Sequence, residues 1–471
     1  MKNLTLAQIQ AQLLSGTLTC VDLVAFYLEQ IEKNKYLNAF VEVYDKEAIQ
    51  KAAALDQRIK QYPNQLGKLF GCIVSHKDMI VLKDHKVSAS SLILNGFVSQ
   101  FDASCLKSLL AEDAIIIGRT NCDEFGMGSS NTNSFFGPVH NGTKQGFVSG
   151  GSSGGAAVSV QTDCCLVALG TDTGGSVRQP ASLCGVLGFK PTYGLVSRYG
   201  LVAYASSFDQ VGILAKNVED IDQMMSVISV NDDIDATMLD QNFDEQDGEL
   251  PAHVKIAFLG EAIENSALDA EIKNTIYSQF DNFKDEGILV QKVSFELLDA
   301  LVPCYYILTT AEASSNLSRY DGVRYGYRSA SSSNLNDMYV NSRTEGFGSE
   351  VKKRIMLGSY VLSEAYYDAY FTKAQQVRAL ICNHLDSLFE KFDFIIMPTS
   401  PKVAWPIEYK SSDPVEAYMA DIYTVLANLA GLPAISVPLG NNSENLPFGI
   451  QVLGKRKSDK KVLRFVERYF D

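Results

Sequence analysis

Six short apolar runs are spread along the sequence, and segments with helical periodicity lie between them. Each run is too short to span a membrane, but each has the length of a buried β-strand. Strand-like runs that alternate with helical segments are typical of α/β proteins. The sequence therefore predicts an α/β fold with a mostly buried sheet. The runs are 69–74, 114–117, 254–258, 394–397, 434–439 and 448–453.

The chain is predicted to be helical from its start to about residue 60. Thr5 with Gln8, and Thr19 with Asp22, have the spacing of helix capping boxes. We also expect a helix over 106–110.

The chain is acidic, with a formal net charge of −14 over 471 residues. Much of the acidity lies between Glu219 and Glu249, a stretch without Lys or Arg, which we interpret as a solvated face and loop. A negative surface repels phosphate backbones, so we expect this chain by itself to bind RNA poorly.

The nine cysteines are scattered without a CxxC pair, and Cys164 and Cys165 are adjacent in an apolar run. This pattern is typical of reduced, buried thiols rather than of disulfides. The first residues lack the apolar core of a signal peptide. We therefore expect a cytoplasmic protein with no membrane segment.

Lys77, Ser152 and Ser176 are the candidate catalytic residues. Lys77 follows the apolar run 69–74, Ser152 lies in the glycine-rich loop 150–155, and Ser176 follows two glycines. A serine nucleophile needs a base, and a buried lysine can be that base if it loses its proton. Successive glycine N–H groups can stabilise the oxyanion that forms beside the serine.

Each of these features also has an alternative interpretation without catalysis. Lys77 can be a surface lysine paired with Asp78, and the two loops can be flexible or phosphate-binding turns. The string 150–154 also matches the GxSxG motif, which would make Ser152 the nucleophile, but no apolar strand precedes it. A single Asp172-Thr173-Gly174 string is too little for an aspartic protease.

The chain resembles the amidase signature family over nearly its whole length. The resemblance rests on Lys77, on the two glycine-serine loops and on 185–194, which reads GVLGFKPTYG. It implies one large domain with a mixed, twisted sheet surrounded by helices. The family pattern usually has Asn after Lys-Asp, whereas this chain has Met79, which changes the local packing.

The resemblance also implies residue roles. Lys77 would be the base, Ser152 the bridge that passes the proton, and Ser176 the nucleophile. Ser153 would support the loop, and the peptide bond before Ser152 would be cis. The residues at the oxyanion-hole positions are Thr173, Gly174 and Gly175.

Within the family, the chain is similar to members that release ammonia from glutamine in tRNA-dependent amidotransferases, on the strength of 311–322, 354–358 and 428–434. That likeness implies two partner subunits, B and C, in a heterotrimer. The partner would use ATP and Mg²⁺ and hold the misacylated tRNA, and this chain would carry no cofactor and no metal. The expected activity is a glutamine-hydrolysing glutaminyl-tRNA synthase.

The same likeness implies a glutamine pocket made by Tyr305, Arg354 and Asp421. An arginine fork suits the α-carboxylate of glutamine, and an aspartate suits its α-ammonium. Arg354 belongs to a basic cluster that could instead be a solvated face, and Tyr306 could replace Tyr305 as the pocket residue.

We divide the single domain 1–471 into four parts. These are a helical N-terminal layer (1–65), a catalytic Ser-Ser-Lys core (66–218), a peripheral acidic excursion (219–300) and a half that forms the substrate pocket (301–471). Two other functions remain open: a stand-alone amidase of small amides, and a non-catalytic scaffold for the partner subunit.

Overall fold

The computed structural model of the protein describes residues 2–409 and 416–470. Eleven strands form one sheet in this part of the chain. The strands are β1 (Phe40–Val43), β2 (Ile73–Lys77), β3 (Ile115–Thr120), β4 (Val167–Thr171), β5 (Leu187–Lys190), β6 (Val211–Ala215), β7 (Lys255–Leu259), β8 (Leu289–Val293), β9 (Phe394–Pro398), β10 (Ala434–Asn441) and β11 (Pro447–Gly454).

Helices cover the sheet. The α-helices are α1 (Leu6–Ser15), α2 (Cys20–Lys33), α3 (Asp45–Gln61), α4 (Ser104–Ala111), α5 (Gly154–Gln161), α6 (Arg178–Cys184), α7 (Val218–Ile228), α8 (Gly260–Ile263), α9 (Ala270–Asp285), α10 (Leu298–Asn316), α11 (Leu335–Gly346), α12 (Ser349–Val361), α13 (Lys373–Phe389), α14 (Glu416–Met419), α15 (Val425–Leu429) and α16 (Asp459–Tyr469).

The sheet is mixed, with the order β1-β3-β2-β4-β6-β5-β10-β11-β9-β7-β8. Strand β2 lies between β3 and β4 and is parallel to both, while β5, β6, β10 and β11 pair antiparallel with their neighbours. Every residue of β2, β3 and β4 is buried. The predicted α/β fold with a mixed, mostly buried sheet is confirmed.

The N-terminal layer differs from its prediction in one element. Helices α1, α2 and α3 are present, and the Thr5 and Thr19 side chains cap the first two. Between them, however, β1 pairs with β3 at the edge of the sheet. All four β1 residues are only half-buried, and the strand is too short to show a periodicity of its own.

The acidic segment 219–300 adds two strands to the main sheet. Strands β7 and β8 form the edge beyond β9. Part of the acidic stretch is also paired with α16, since Lys461 Nζ lies 2.8 Å from an Asp247 oxygen and Lys460 Nζ lies 3.8 Å from Asp244. The interpretation of this stretch as a solvated face is therefore incomplete, and the division of the chain at 65, 218 and 300 stays a prediction.

The parallel strands β2 and β4 bring the candidate residues together. Parallel neighbours end at the same edge of a sheet, so Lys77 at the end of β2 faces Thr171 at the end of β4. The chain leaves β4 through the loop that holds Ser176 and enters α6. Ser152 lies in the loop before α5, a helix that packs on β4.

All nine cysteines are free, and eight of them are buried. No helix within residues 2–409 and 416–470 is both long enough and apolar enough to cross a membrane.

Candidate active site

Lys77 is the centre of the site. It is completely buried as the last residue of β2, and its Nζ lies 2.6 Å from Ser152 Oγ, 3.0 Å from Ser153 Oγ and 2.8 Å from Thr171 Oγ1. Burial lowers the pKa of the Lys77 ammonium because the charged form loses its hydration. Asp78 pairs with Arg119 instead, so the interpretation of Lys77 as a surface lysine is wrong.

Two of the three hydroxyl groups around Lys77, those of Thr171 and Ser153, donate their hydrogen bonds to other acceptors. Thr171 Oγ1 donates to the Met79 sulfur at 3.8 Å, and Ser153 Oγ donates to the Thr171 carbonyl at 3.2 Å. Both oxygens therefore accept hydrogen bonds from Lys77. A neutral lysine has two N–H groups and one lone pair, so the lone pair is left for the third neighbour, Ser152.

Met79 takes part in this arrangement. It is buried beside Gly126 and stands where the family pattern usually has Asn. Its thioether is a weak acceptor, which orients the Thr171 hydroxyl without adding a charge next to Lys77.

The Ser152 loop is held on both sides. The peptide bond between Gly151 and Ser152 is cis, as the resemblance implied. Gly151 N–H donates to the Gln179 side chain at 2.9 Å, and the Ser152 carbonyl accepts from Asp123 N–H at 3.1 Å. These contacts fix Ser152 Oγ next to Lys77.

Ser176 lies across from this loop and is about 9% exposed. Its carbonyl accepts from Ser153 N–H at 3.0 Å, which ties the two serine loops together. In the described part of the chain, the hydroxyls of Ser152 and Ser176 are not hydrogen-bonded to each other. The two loops are thus adjacent, with the nucleophile candidate on the more open side.

The predicted oxyanion-hole residues are not equivalent. Gly175 N–H donates to Asp172 at 2.8 Å, so it is not available to a substrate. The N–H groups of Thr173 and Gly174 have no acceptor among the described residues. Thr173 is anchored through its hydroxyl, which donates to Asp209 at 2.6 Å. The N–H of Ser176 likewise has no acceptor in the described chain, so the free donors lie on both sides of Gly175.

A buried ion pair between Asp172 and Arg178 stabilises this loop. Both are fully buried, and their charged groups are 3.0 Å apart. The Asn428 amide also donates to Asp172, at 2.9 Å. Although burial acts to raise it, the pKa of Asp172 lies well below its usual range, because Arg178 and Asn428 stabilise the carboxylate. The pair holds the loop but contains no free acid or base.

Arg354 is one of a set of buried polar side chains, the predicted glutamine pocket, next to the serine loops. It is about 5% exposed, which rules out the interpretation as a solvated face. Its Nε donates to Glu350 at 2.9 Å and its Nη1 donates to the Tyr204 hydroxyl at 2.9 Å. Its guanidinium also lies 5.1 Å from the Tyr306 ring centre. Nη2 has no partner in the described chain, so it is free to bind an anion.

Asp421 faces the same pocket. Its carboxylate accepts from Ser129 Oγ at 2.7 and 2.8 Å and from the Tyr306 hydroxyl at 3.0 Å. Burial raises the pKa of Asp421 to about 6, although both hydroxyls act to lower it. The carboxylate has lone pairs left for a cation.

Tyr305 and Tyr306 have different places in the site. Tyr306 contacts both Arg354 and Asp421. The Tyr305 ring lies against Gly174, where any Cβ would overlap the phenol. Both tyrosines therefore belong to the site: Tyr306 joins the two charged groups, and Tyr305 supports the oxyanion loop.

Several site residues were not found from the sequence: Ser129, Thr171, Gln179, Tyr204 and Thr424. Thr424 Oγ1 donates to the Gly174 carbonyl at 2.7 Å, and Gln179 Nε2 donates to the Ser129 carbonyl at 2.9 Å. These two bonds connect the pocket to the serine loops. Only Thr171 had a sequence signal, because it directly precedes the loop of Ser176.

In the described ranges, no group of three His, Cys, Asp or Glu side chains could hold a metal ion.

A buried lysine lies beside two serine loops on a mixed α/β sheet, an arrangement in which a lysine can act as the base for a serine nucleophile. The chain belongs to the amidase family, whose model, described as Amidase, matches residues 22–463.

Two similar proteins are each named as the A subunit of a glutamyl-tRNA(Gln) amidotransferase. Those of Chlorobaculum parvum and Chlorobaculum tepidum are each 46% identical over 459 residues, covering 97% of this chain and 95% of the relative.

Solved structures agree with this family. The A subunit of the glutamyl-tRNA(Gln) amidotransferase from Thermotoga maritima has a TM-score of 0.77 and 37% identity, covering 98% of this chain and 93% of that one. A peptide amidase from Stenotrophomonas maltophilia has a TM-score of 0.81 and 26% identity, covering 99% and 96%.

Proposed function

We propose that this chain is the glutamine-hydrolysing component of a tRNA-dependent amidotransferase, its A subunit. The observation that carries the proposal is the fully buried Lys77, whose Nζ lies 2.6 Å from Ser152 Oγ, together with a buried cation, Arg354, and a buried anion, Asp421, in the predicted glutamine pocket. The names and coverage of the relatives support the same function.

The first half of the reaction acylates the enzyme. Ser176 Oγ attacks the side-chain amide carbon of glutamine, and its proton passes through Ser152 to Lys77. The N–H groups of Thr173 and Gly174 stabilise the oxyanion. When the tetrahedral intermediate collapses, the C–N bond breaks, the leaving nitrogen takes the proton back through Ser152, and ammonia departs.

The second half frees the enzyme. Water attacks the glutamyl ester on Ser176 while Lys77 again accepts a proton through Ser152. The ester C–O bond then breaks, the proton returns through Ser152 to Ser176 Oγ, and glutamate leaves. The ammonia passes to a partner subunit, which activates the misacylated tRNA with ATP and Mg²⁺. We propose B and C subunits as partners in a heterotrimer, and a cytoplasmic location, which suits nine unpaired cysteines.

The pocket explains a preference for free glutamine. The free Nη2 of Arg354 fits the α-carboxylate, and Asp421 fits the α-ammonium. Each group has its own anchor, Tyr204 for Arg354 and Ser129 for Asp421, so both remain oriented while the two ends of an amino acid are bound. Tyr306 lies between them and keeps the pocket rigid.

The test compares two nitrogen donors in the assembled complex. With Arg354→Ala, tRNA amidation driven by glutamine should fall by about 100-fold, because a buried charge contact of roughly 2–5 kcal/mol is lost. Amidation driven by ammonium salts should stay near the wild-type rate, because free ammonia bypasses this site. Lys353→Ala, an exposed neighbour, is the matched control and should leave both rates unchanged.

Two results would contradict the proposal. Equal loss with both donors would mean that Arg354 holds the fold or the interface. Hydrolysis of small amides lacking both charged groups, at the same efficiency as glutamine by the isolated chain, would favour a stand-alone amidase.

A further inference from the structure

A second cleft lies outside the serine loops and the glutamine pocket. It has a volume of about 420 Å³. Its walls come from the loop after β5, from α13, from the turn after α15 and from the loop after β11. We call it the arginine cleft, because Arg198, Arg378 and Arg456 line it.

Two of the three guanidiniums in the arginine cleft are uncommitted. Arg198 is paired with Asp235 at 2.9 Å. Arg378 uses only its Nε, which donates to the Leu429 carbonyl at 2.8 Å, and both of its Nη groups lack an acceptor in the described chain. Arg456 is exposed and has no partner within residues 2–409 and 416–470. Although the chain has a net charge of −14, the arginine cleft contains two positive charges that no described acidic side chain pairs with.

One of the two free guanidiniums, that of Arg378, is held in place. The Arg378 guanidinium lies 4.4 Å from the Phe208 ring centre, which fixes its plane and leaves its Nη groups free. The described residues that line the cleft include no Asp or Glu. Fixing the donors in advance lowers the entropic cost of binding an anion.

Cys382 lines the same cleft as the two free arginines. Burial raises the pKa of the Cys382 thiol, Arg378 and Arg456 act to lower it, and Asp386 acts to raise it. Because Cys382 and the arginines line one cleft, a ligand bound there should shield the thiol.

We propose that the arginine cleft binds a phosphate group. A carboxylate carries one negative charge on two oxygens, and one guanidinium fork can bind both oxygens. Two free guanidiniums suit a phosphate better, because it has three or four oxygens and up to two negative charges. The phosphate can belong to a free ion or nucleotide, or to an RNA backbone.

Alkylation of Cys382 reports on the occupancy of the arginine cleft. The full chain is treated with iodoacetamide, and modification of Cys382 is followed by peptide mass spectrometry. The other eight cysteines are buried, and Cys382→Ser verifies the assignment. Inorganic phosphate and pyrophosphate should slow the alkylation at least fivefold in a saturable way. Acetate and chloride at the same ionic strength should not.

Two variants and one further ligand sharpen the test. Arg456→Ala should weaken phosphate protection about 10- to 100-fold, the effect of one hydrogen bond to a charged group. Lys455→Ala, the exposed neighbour that does not line the cleft, should retain protection. A short RNA oligonucleotide distinguishes the source: protection by RNA but not by the free ions would identify a backbone phosphate.

The proposal is overturned if none of the phosphate ligands protects Cys382 better than acetate and chloride do. Protection that is equally strong in wild type and Arg456→Ala would overturn it as well. The assay contains no glutamine, so its outcome is independent of the glutaminase function.

Discussion

Lowering the pH below about 6 should weaken glutamine use through Asp421. Burial raises the pKa of this carboxyl to about 6, and only the ionised form can hold the α-ammonium of glutamine. Above pH 6 most of the free enzyme has the Asp421 carboxylate, and below pH 6 most of it has the neutral carboxyl. Protonation of Asp421 therefore weakens glutamine binding.

The size of the effect follows from the same value. At pH 5, a group with a pKa of about 6 is ionised in about one molecule out of eleven, so the apparent KM for glutamine should be about tenfold higher than at pH 7.5. In Tyr306→Phe, Asp421 loses a hydroxyl that donates to it at 3.0 Å. A hydrogen bond to a charged group contributes about 1.5–3 kcal/mol, so the midpoint should move up by about one to two pH units.

The assay must separate Asp421 from Lys77, because both lose activity at low pH. Burial lowers the pKa of Lys77, and the protonated lysine cannot accept the serine proton. Ammonia release is therefore measured from pH 5 to 8.5 with glutamine and with the monoamide of glutaric acid, which lacks the α-amine. The loss of activity at low pH that is due to Asp421 should appear only with glutamine. The loss that is due to Lys77 should appear with both substrates.

The reasoning is refuted if the KM for glutamine is flat from pH 5 to 8. It is also refuted if the two substrates have the same pH profile, or if Tyr306→Phe leaves the midpoint in place.

Two further predictions concern the loop of the nucleophile. Gly174→Ala should abolish glutamine hydrolysis in a folded protein, because its Cβ would overlap the Tyr305 ring, whereas Gly440→Ala, whose Cβ would meet nothing closer than 3.5 Å, should retain full activity. Arg178→Met should lower the free energy of unfolding by about 3–5 kcal/mol, because it leaves the buried Asp172 carboxylate without its ion pair. Denaturant unfolding measures the loss, and an unchanged midpoint would mean that water replaces the arginine.

The sequence predicted the strands that are rich in apolar residues. Strands β2, β3, β7, β9, β10 and β11 lie where apolar runs were seen, because a short run of mostly apolar residues favours a buried strand. Strands β1, β4, β5, β6 and β8 were missed. Each has only four or five residues, and a glycine interrupts β4, β5 and β6, so these strands do not stand out from loops. Their place in the sheet depends on neighbours distant in the sequence.

Some residues of the candidate site could be predicted from the sequence, and others could not. The glycine-serine motifs indicated Ser152 and Ser176, because few other patterns place a serine among so many flexible residues. Ser129 and Tyr204 carry no such pattern. Each is an ordinary polar residue whose role depends on a contact 292 or 150 residues away, to Asp421 or Arg354. The sequence also could not show that the Gly175 N–H donates to Asp172. That hydrogen bond depends on how the loop between the two residues is folded.

Covalent trapping on Ser176 tests the central claim most directly. The assembled complex is incubated with a glutamine analogue that carries an electrophilic carbon at the end of its side chain, and the modified peptide is identified by mass spectrometry. We expect one adduct, on Ser176, that is absent in Ser176→Ala and forms much more slowly in Lys77→Ala. An adduct on Ser152, or normal glutamine hydrolysis by Ser176→Ala, would contradict the account.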